Sequence, residues 1–150
     1  MLYMRMRIND TPWLSSGLLY SRGWGFQFET DGDLGNYELS AGISGPSDLF
    51  VVYENQTRSG GTSDPAEFPL DLGSVTLGDA RVSAASSFID GDLDYFIDLQ
   101  IPYELLMSGS LLAPMSMTED FHLLVGTSTT ASVILLDADM GIHDDSAGLG

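Results

Sequence analysis

Two short acidic segments hold the residues whose types and spacing could do chemistry. The first, DGDLGN at residues 31–36, places two carboxylates and a carboxamide in one glycine-containing turn, and the second, DGDLD at residues 90–94, places three carboxylates at alternate positions. Alternate residues of an extended chain share one face, so those three could converge on one ion. Calcium takes about six to eight oxygen ligands, often from Asp in tight turns. The sequence therefore predicts two groups of calcium ligands: Asp31, Asp33 and Asn36, and Asp90, Asp92 and Asp94.

Each acidic segment also has an interpretation without a metal ion. Residues 31–36 suit a solvated hairpin turn, because Gly and Asn readily adopt positive φ and Asp caps its own backbone. Residues 90–94 suit a charged loop that protects a sheet edge from unwanted pairing. The first segment is not an EF-hand, since that loop needs Gly at its sixth position and Glu at its twelfth, where this chain has Asn36 and Gly42.

The charge of the chain restricts its partners. Its net charge is −17, from 22 acidic residues against 5 basic ones, and all the basic residues are Arg. Such a strongly negative electrostatic field attracts divalent cations and repels phosphate backbones. We therefore predict no nucleic-acid partner. Adaptation to high salt, or solubility alone, explains the same composition equally well.

Other side chains point to binding more than to catalysis. Trp13 and Tyr53 are expected at loops or strand ends, where an exposed ring either stacks on a sugar or packs at the rim of the core. The chain has no Cys, which excludes disulfides and thiolate sites. His122 and His143 are isolated in the sequence, and the paired carboxylates lie in turns, so no enzyme is predicted.

The elements that must position these residues are short strands. Trp24, Phe26 and Phe28 alternate before the first acidic turn, and alternation resumes after it at residues 37–43, which predicts a hairpin. Further alternating runs occur at residues 2–8, where the two Arg side chains should find carboxylate partners, and at 95–101. One short helix is expected after Pro102. We predict an all-β antiparallel β-sandwich of about eight or nine strands, with a barrel as the alternative.

The length of the chain suits a single domain over residues 1–150. A strand that begins at residue 2, with no signal peptide before it, suggests a fragment of a longer chain. No apolar run is long enough to predict a membrane span.

Four segments together resemble a known group of modules. They are LYMRMRI (2–8), WGFQFETDGDLGNYELSAGI (24–43), DGDLDYFIDLQIPYELL (90–106) and FHLLVGTSTTA (121–131). The order of these segments resembles that in a group of bacterial secreted and surface-protein modules. Those modules are similar to the family 9 carbohydrate-binding modules and to the DOMON-like β-sandwiches. The resemblance implies a β-sandwich of this size, an extracellular or cell-surface location and, in some members, bound calcium.

These observations lead to two expected functions. The first is a non-catalytic extracellular module of a larger surface or secreted protein, stabilised by calcium in its acidic loops. The alternative is a carbohydrate-binding module attached to a glycan-active enzyme. The expected partners are accordingly polysaccharide or neighbouring domains of the same polypeptide.

Overall fold

The computed structural model confirms the all-β prediction. It describes residues 1–33, 37–45, 49–56, 66, 68–69, 80–89, 91–107, 120–128, 139–140 and 143–144. Asn36 and Asp90 lie outside these residues. The described residues form ten strands, more than the eight or nine expected because three of them contain two residues each.

The elements follow one another along the chain with one helix among them. They are β1 (Leu2–Ile8), β2 (Gly23–Glu29), β3 (Leu39–Ser44), β4 (Leu49–Glu54), β5 (Phe68–Pro69), β6 (Ala80–Ile89), β7 (Asp92–Ile101), α1 (Tyr103–Leu106), β8 (His122–Ser128), β9 (Asp139–Met140) and β10 (His143–Asp144). Among the described residues, no helix is both long enough and apolar enough to cross a membrane.

The strands form two antiparallel sheets. The smaller has the order β1-β7-β6, and the larger has the order β10-β9-β8-β2-β3-β4-β5. In the larger sheet β2 pairs with both β8 and β3, so it is an interior strand. The predicted hairpin is present, with Phe28 opposite Leu39 and Trp24 opposite Ile43.

One hydrophobic core joins the two sheets. The smaller sheet contributes Met4 and Met6 from β1 and Ile97 from β7, while β2 contributes Trp24 and Phe28. These side chains alternate along their strands, as the sequence pattern predicts. Each large apolar side chain removed from water stabilises the fold by about 1.5–3 kcal/mol.

Strand β2 is more deeply buried than its alternation suggests. Alternation predicts one buried face and one solvated face, yet every residue from Gly23 to Glu29 is buried. Gln27, on the face opposite Phe28, has no exposed surface. The polar face of this hairpin is therefore covered as well, and any charged group on it must find a partner inside the protein.

Candidate functional site

Three carboxylates meet at the end of the β2–β3 hairpin. Glu29 ends β2, Asp31 lies in the turn, and Glu38 precedes β3. One carboxylate oxygen from each lies within 4.8 Å of the others. Glu29 and Glu38 are buried, whereas Asp31 is exposed. The Glu38 N–H donates to the Phe28 carbonyl at 2.9 Å, which brings the two arms together at this point.

Glu29 is held by hydrogen bonds on both of its carboxylate oxygens. Its Oε1 accepts from the backbone N–H groups of Asp31, at 2.7 Å, and of Gly32. Its Oε2 lies 2.8 Å from Nδ1 of His122, the residue opposite it on β8. Burial works to raise the pKa of Glu29, but these hydrogen bonds outweigh it and hold the pKa below its ordinary value.

Glu38 has weaker compensation for its burial. Its Oε2 accepts from the backbone N–H of Thr30 at 2.7 Å and from the Thr30 hydroxyl at 3.3 Å. Burial raises the pKa of Glu38, and the negative charges of Asp31 and Glu29 raise it further. Of the two buried glutamates, Glu38 is thus the one whose charge is less well stabilised by the protein.

The turn backbone directs Asp31 towards the two glutamates. Gly32 has a φ of +89°, a left-handed conformation that residues with a Cβ rarely adopt. The Asp31 Oδ1 accepts from the Asp33 N–H at 2.9 Å, the short-range bond by which Asp stabilises tight turns. The chain reversal therefore leaves one carboxylate at the surface beside two buried ones.

The cluster offers only oxygen atoms as ligands. Hard divalent cations bind carboxylate oxygens, and bringing three of them together is repulsive unless a cation or a proton lies between them. Because calcium takes about six to eight ligands, backbone carbonyls or water would complete the coordination. The arrangement could hold a metal ion.

The structure includes part of the first predicted ligand set in this cluster. Asp31 belongs to it, whereas Asp33 is exposed beside it and is not one of its three ligands. Glu29 and Glu38 lie close to this turn in the sequence but were not among the predicted ligands. The pairing of the two hairpin arms could have identified them, because the last residue of one arm faces the first residue of the other.

The second predicted ligand set has a different arrangement. Asp92 is exposed at the start of β7, while Asp94 is fully buried. The Asp94 Oδ2 accepts from Nε of Arg7 at 2.9 Å and from the Ser87 hydroxyl at 2.9 Å. The charge of Asp94 is thus already compensated by a cation of the protein itself. Arg5 likewise pairs with Asp98, which confirms the expectation that both β1 arginines find carboxylate partners.

A groove of about 870 Å³ lies beside β1, β2 and β8. Tyr20, Arg22 and Leu123 contribute to its lining. Trp13 is partly buried against the core, and Tyr53 is partly buried on β4. Both aromatic residues were predicted to bind a ligand. Neither is among the groove-lining residues in the part of the chain that the structure describes.

Comparison with known proteins finds no relative for this chain. No protein-family model, no curated protein and no solved structure matches it.

Proposed function

We propose that this chain is a non-catalytic β-sandwich module of a larger surface or secreted protein, stabilised by calcium at the end of its β2–β3 hairpin. The observation that supports this proposal is the convergence of Glu29, Asp31 and Glu38 within 4.8 Å, two of them buried. A buried carboxylate loses its hydration, and a bound cation offsets that cost. The protein compensates Glu29 well and Glu38 poorly.

Calcium suits this donor set better than other common metal ions. Carboxylate oxygens favour hard cations, whereas zinc and copper sites draw on imidazole or thiolate ligands. Magnesium requires near-ideal octahedral geometry and gives up its water reluctantly. Calcium tolerates the irregular arrangement of two buried glutamates and one exposed aspartate.

The expected affinity supports an extracellular location. Three carboxylates, one of them exposed, make a smaller ligand set than that of a high-affinity intracellular sensor. Calcium sites of extracellular modules typically have dissociation constants of about 0.1–1 mM. A site of this kind would be filled where calcium is abundant, and the strongly acidic surface would keep the module soluble there.

Thermal unfolding in calcium, in magnesium and in EDTA at one ionic strength tests this proposal. Because an ion that binds only the native state raises stability by mass action, calcium at about a hundred times its dissociation constant should add about 2.7 kcal/mol. A rise specific to calcium is the expected result. An equal rise with any salt would mean that the acidic surface is a salt adaptation, and the metal proposal would be abandoned.

The groove beside β1 favours a second candidate, a carbohydrate-binding module attached to a glycan-active enzyme. Tyr20 is 40% exposed at its wall, next to side chains that carry hydroxyl and carboxamide groups. Sugars present both C–H faces and hydroxyl groups, so a mixed lining of this kind suits them. Retention on polysaccharide affinity gels tests this candidate, and a lack of retention on neutral and acidic polymers alike would contradict it.

A further inference from the structure

The groove concentrates the few cationic side chains of a strongly acidic protein. Arg5, Arg7 and Arg22 line it, which is three of the five basic residues in the chain. Asp10 is the one carboxylate among the lining residues that the structure describes. The groove therefore holds more basic than acidic side chains, although the chain as a whole has a net charge of −17.

Two of these arginines are already engaged with β7. Arg5 donates to both carboxylate oxygens of Asp98, and its guanidinium lies 4.5 Å from the centre of the Phe96 ring. Arg7 binds the buried carboxylate of Asp94. Their charges are therefore largely compensated within the smaller sheet.

Arg22 differs from both of them. Its side chain is exposed, and among the described residues no side chain pairs with its guanidinium. Its backbone is nevertheless held on both sides, because its N–H donates to the Tyr20 carbonyl at 2.7 Å and its carbonyl accepts from the Gly45 N–H at 2.8 Å. A guanidinium on a fixed backbone is well suited to bind a carboxylate through two parallel hydrogen bonds.

Apolar side chains also line the groove. Tyr20, close to Arg22 in the chain, is 40% exposed, and Leu123, which lies opposite Phe28 at the other end of β2, is 46% exposed. Trp24 and Pro12 also contribute to the lining. A ligand that suits this lining has an apolar face as well as a negative charge. A long polyanion is disfavoured, because it would extend over the acidic remainder of the surface.

We infer that the groove binds a short saccharide that carries a carboxylate, an oligouronate, with Arg22 as the anchor of the carboxylate. This inference rests on the second candidate function, carbohydrate binding in the groove, and specifies its ligand. Tyr20 contacts the C–H face of a sugar ring, while Thr11 and Asn9 lie where hydroxyl groups of the sugar need hydrogen-bonding neighbours. An acidic peptide has the charge but lacks the ring face and the hydroxyl groups.

Calorimetric titration with trigalacturonate tests the inference, with maltotriose as the neutral saccharide and triglutamate as the acidic peptide. Binding of trigalacturonate alone is expected, and it should weaken as salt is added. Arg22→Gln should weaken this binding at least about tenfold, since a charge-assisted hydrogen-bonded pair is lost. Arg22→Lys, which keeps the charge but loses the fork of donors, should give an intermediate loss.

Arg81→Gln is the matched control. Arg81 is an exposed arginine that pairs with Asp98 on the smaller sheet, and it does not line the groove within the described residues. Its substitution should leave binding unchanged. If Arg81→Gln and Arg22→Gln weakened trigalacturonate binding equally, the net charge of the protein and not a specific contact with Arg22 would account for binding. That result would overturn the inference.

The other outcomes separate this inference from the candidate on which it rests. Equal binding of maltotriose and trigalacturonate, unaffected by Arg22→Gln, would overturn the carboxylate anchor and leave carbohydrate binding in place. Binding of triglutamate as tight as that of trigalacturonate would overturn the assignment to a saccharide. Failure of every saccharide, neutral or acidic, would overturn both. Since Arg22 is exposed, thermal unfolding of its variants should match the parent protein, so a loss of binding is not a loss of folding.

Discussion

The fully buried carboxylate of Asp94 on β7 accepts a hydrogen bond from Nε of Arg7 on β1, with a distance of 2.9 Å between Nε and Oδ2. The Ser87 hydroxyl on β6 donates to the same oxygen at 2.9 Å. The three strands of the smaller sheet are thus joined around one negative charge. This relationship assigns Asp94 a structural role in the sheet.

Replacement of Arg7 by Met should destabilise the protein by about 3 kcal/mol, because the Asp94 charge would stay buried without its partner. Urea unfolding measures the change. Addition of Asp94→Asn to the Arg7→Met variant should restore part of the lost stability. Arg5→Met is the control: its pair with Asp98 is partly exposed and Asp98 keeps Arg81, so a much smaller loss is expected. Similar losses from both variants would contradict the role given to the Arg7–Asp94 pair.

Asp31→Asn should remove most of the calcium-dependent rise in melting temperature while changing the melting temperature in EDTA little. The reason is that Asp31 is the exposed member of the cluster, so under the calcium proposal its charge serves ion binding more than packing. Asp92→Asn, an exposed aspartate of the second acidic segment, is the matched control and should keep the full calcium effect. Loss of the calcium effect in the Asp92 variant alone would move the metal site to that segment.

The raised pKa of Glu38 predicts a pH dependence in the absence of calcium. The folded protein holds the Glu38 proton more tightly than the unfolded chain does. The contribution of Glu38 to stability therefore falls as the pH rises from the ordinary glutamate pKa through the higher folded value. Glu38→Gln should remove this dependence and raise the neutral-pH melting temperature in EDTA. An unchanged pH profile would contradict the assigned environment.

Glu29 should behave in the opposite sense. The pKa of Glu29 in the folded protein lies below the ordinary glutamate pKa. Glu29 therefore contributes to stability when the pH is above the ordinary pKa, and this contribution is lost as the pH falls through the folded pKa. Glu29→Gln should therefore destabilise the protein at neutral pH, whereas Glu38→Gln stabilises it. Denaturant unfolding of the two variants, side by side in EDTA, provides the comparison. A change of the same sign in both variants would refute the distinction.

Gly45→Ala should disturb the loop that carries Tyr20 and Arg22. A Cβ at Gly45 would lie 1.9 Å from the Tyr20 carbonyl oxygen and 2.8 Å from that of Arg22, so the loop backbone would have to move. Overpacking of this kind costs about 1–3 kcal/mol, and displacement of Arg22 should also weaken binding in the groove. Ser21→Ala, an exposed substitution in the same loop, should leave unfolding and ligand titration unchanged. Parent-like stability of the Gly45 variant would contradict this packing.

The local pattern of side chains was sufficient to predict the strands. Alternation identified β1, β2, β3 and much of β7, because a strand that contributes to a core repeats its apolar residues every second position. The acidic, glycine-containing turn between β2 and β3 was likewise evident from residues 31–36. Features of this kind depend on neighbours in the chain, so the sequence by itself determined the all-β class and the central hairpin.

The partners of the charged groups were decided only by the tertiary structure. Asp94 and Asp92 belong to one acidic segment, yet the pairing of β1 with β7 brings Arg7 to the first and leaves the second exposed. Pairing of β2 with β8 places His122 beside Glu29, although the two are 93 positions apart in the chain. Strand register and sheet packing set these distances and burials. No local pattern encodes them, and for that reason the cluster of three carboxylates and the groove beside β1 emerged only from the folded chain.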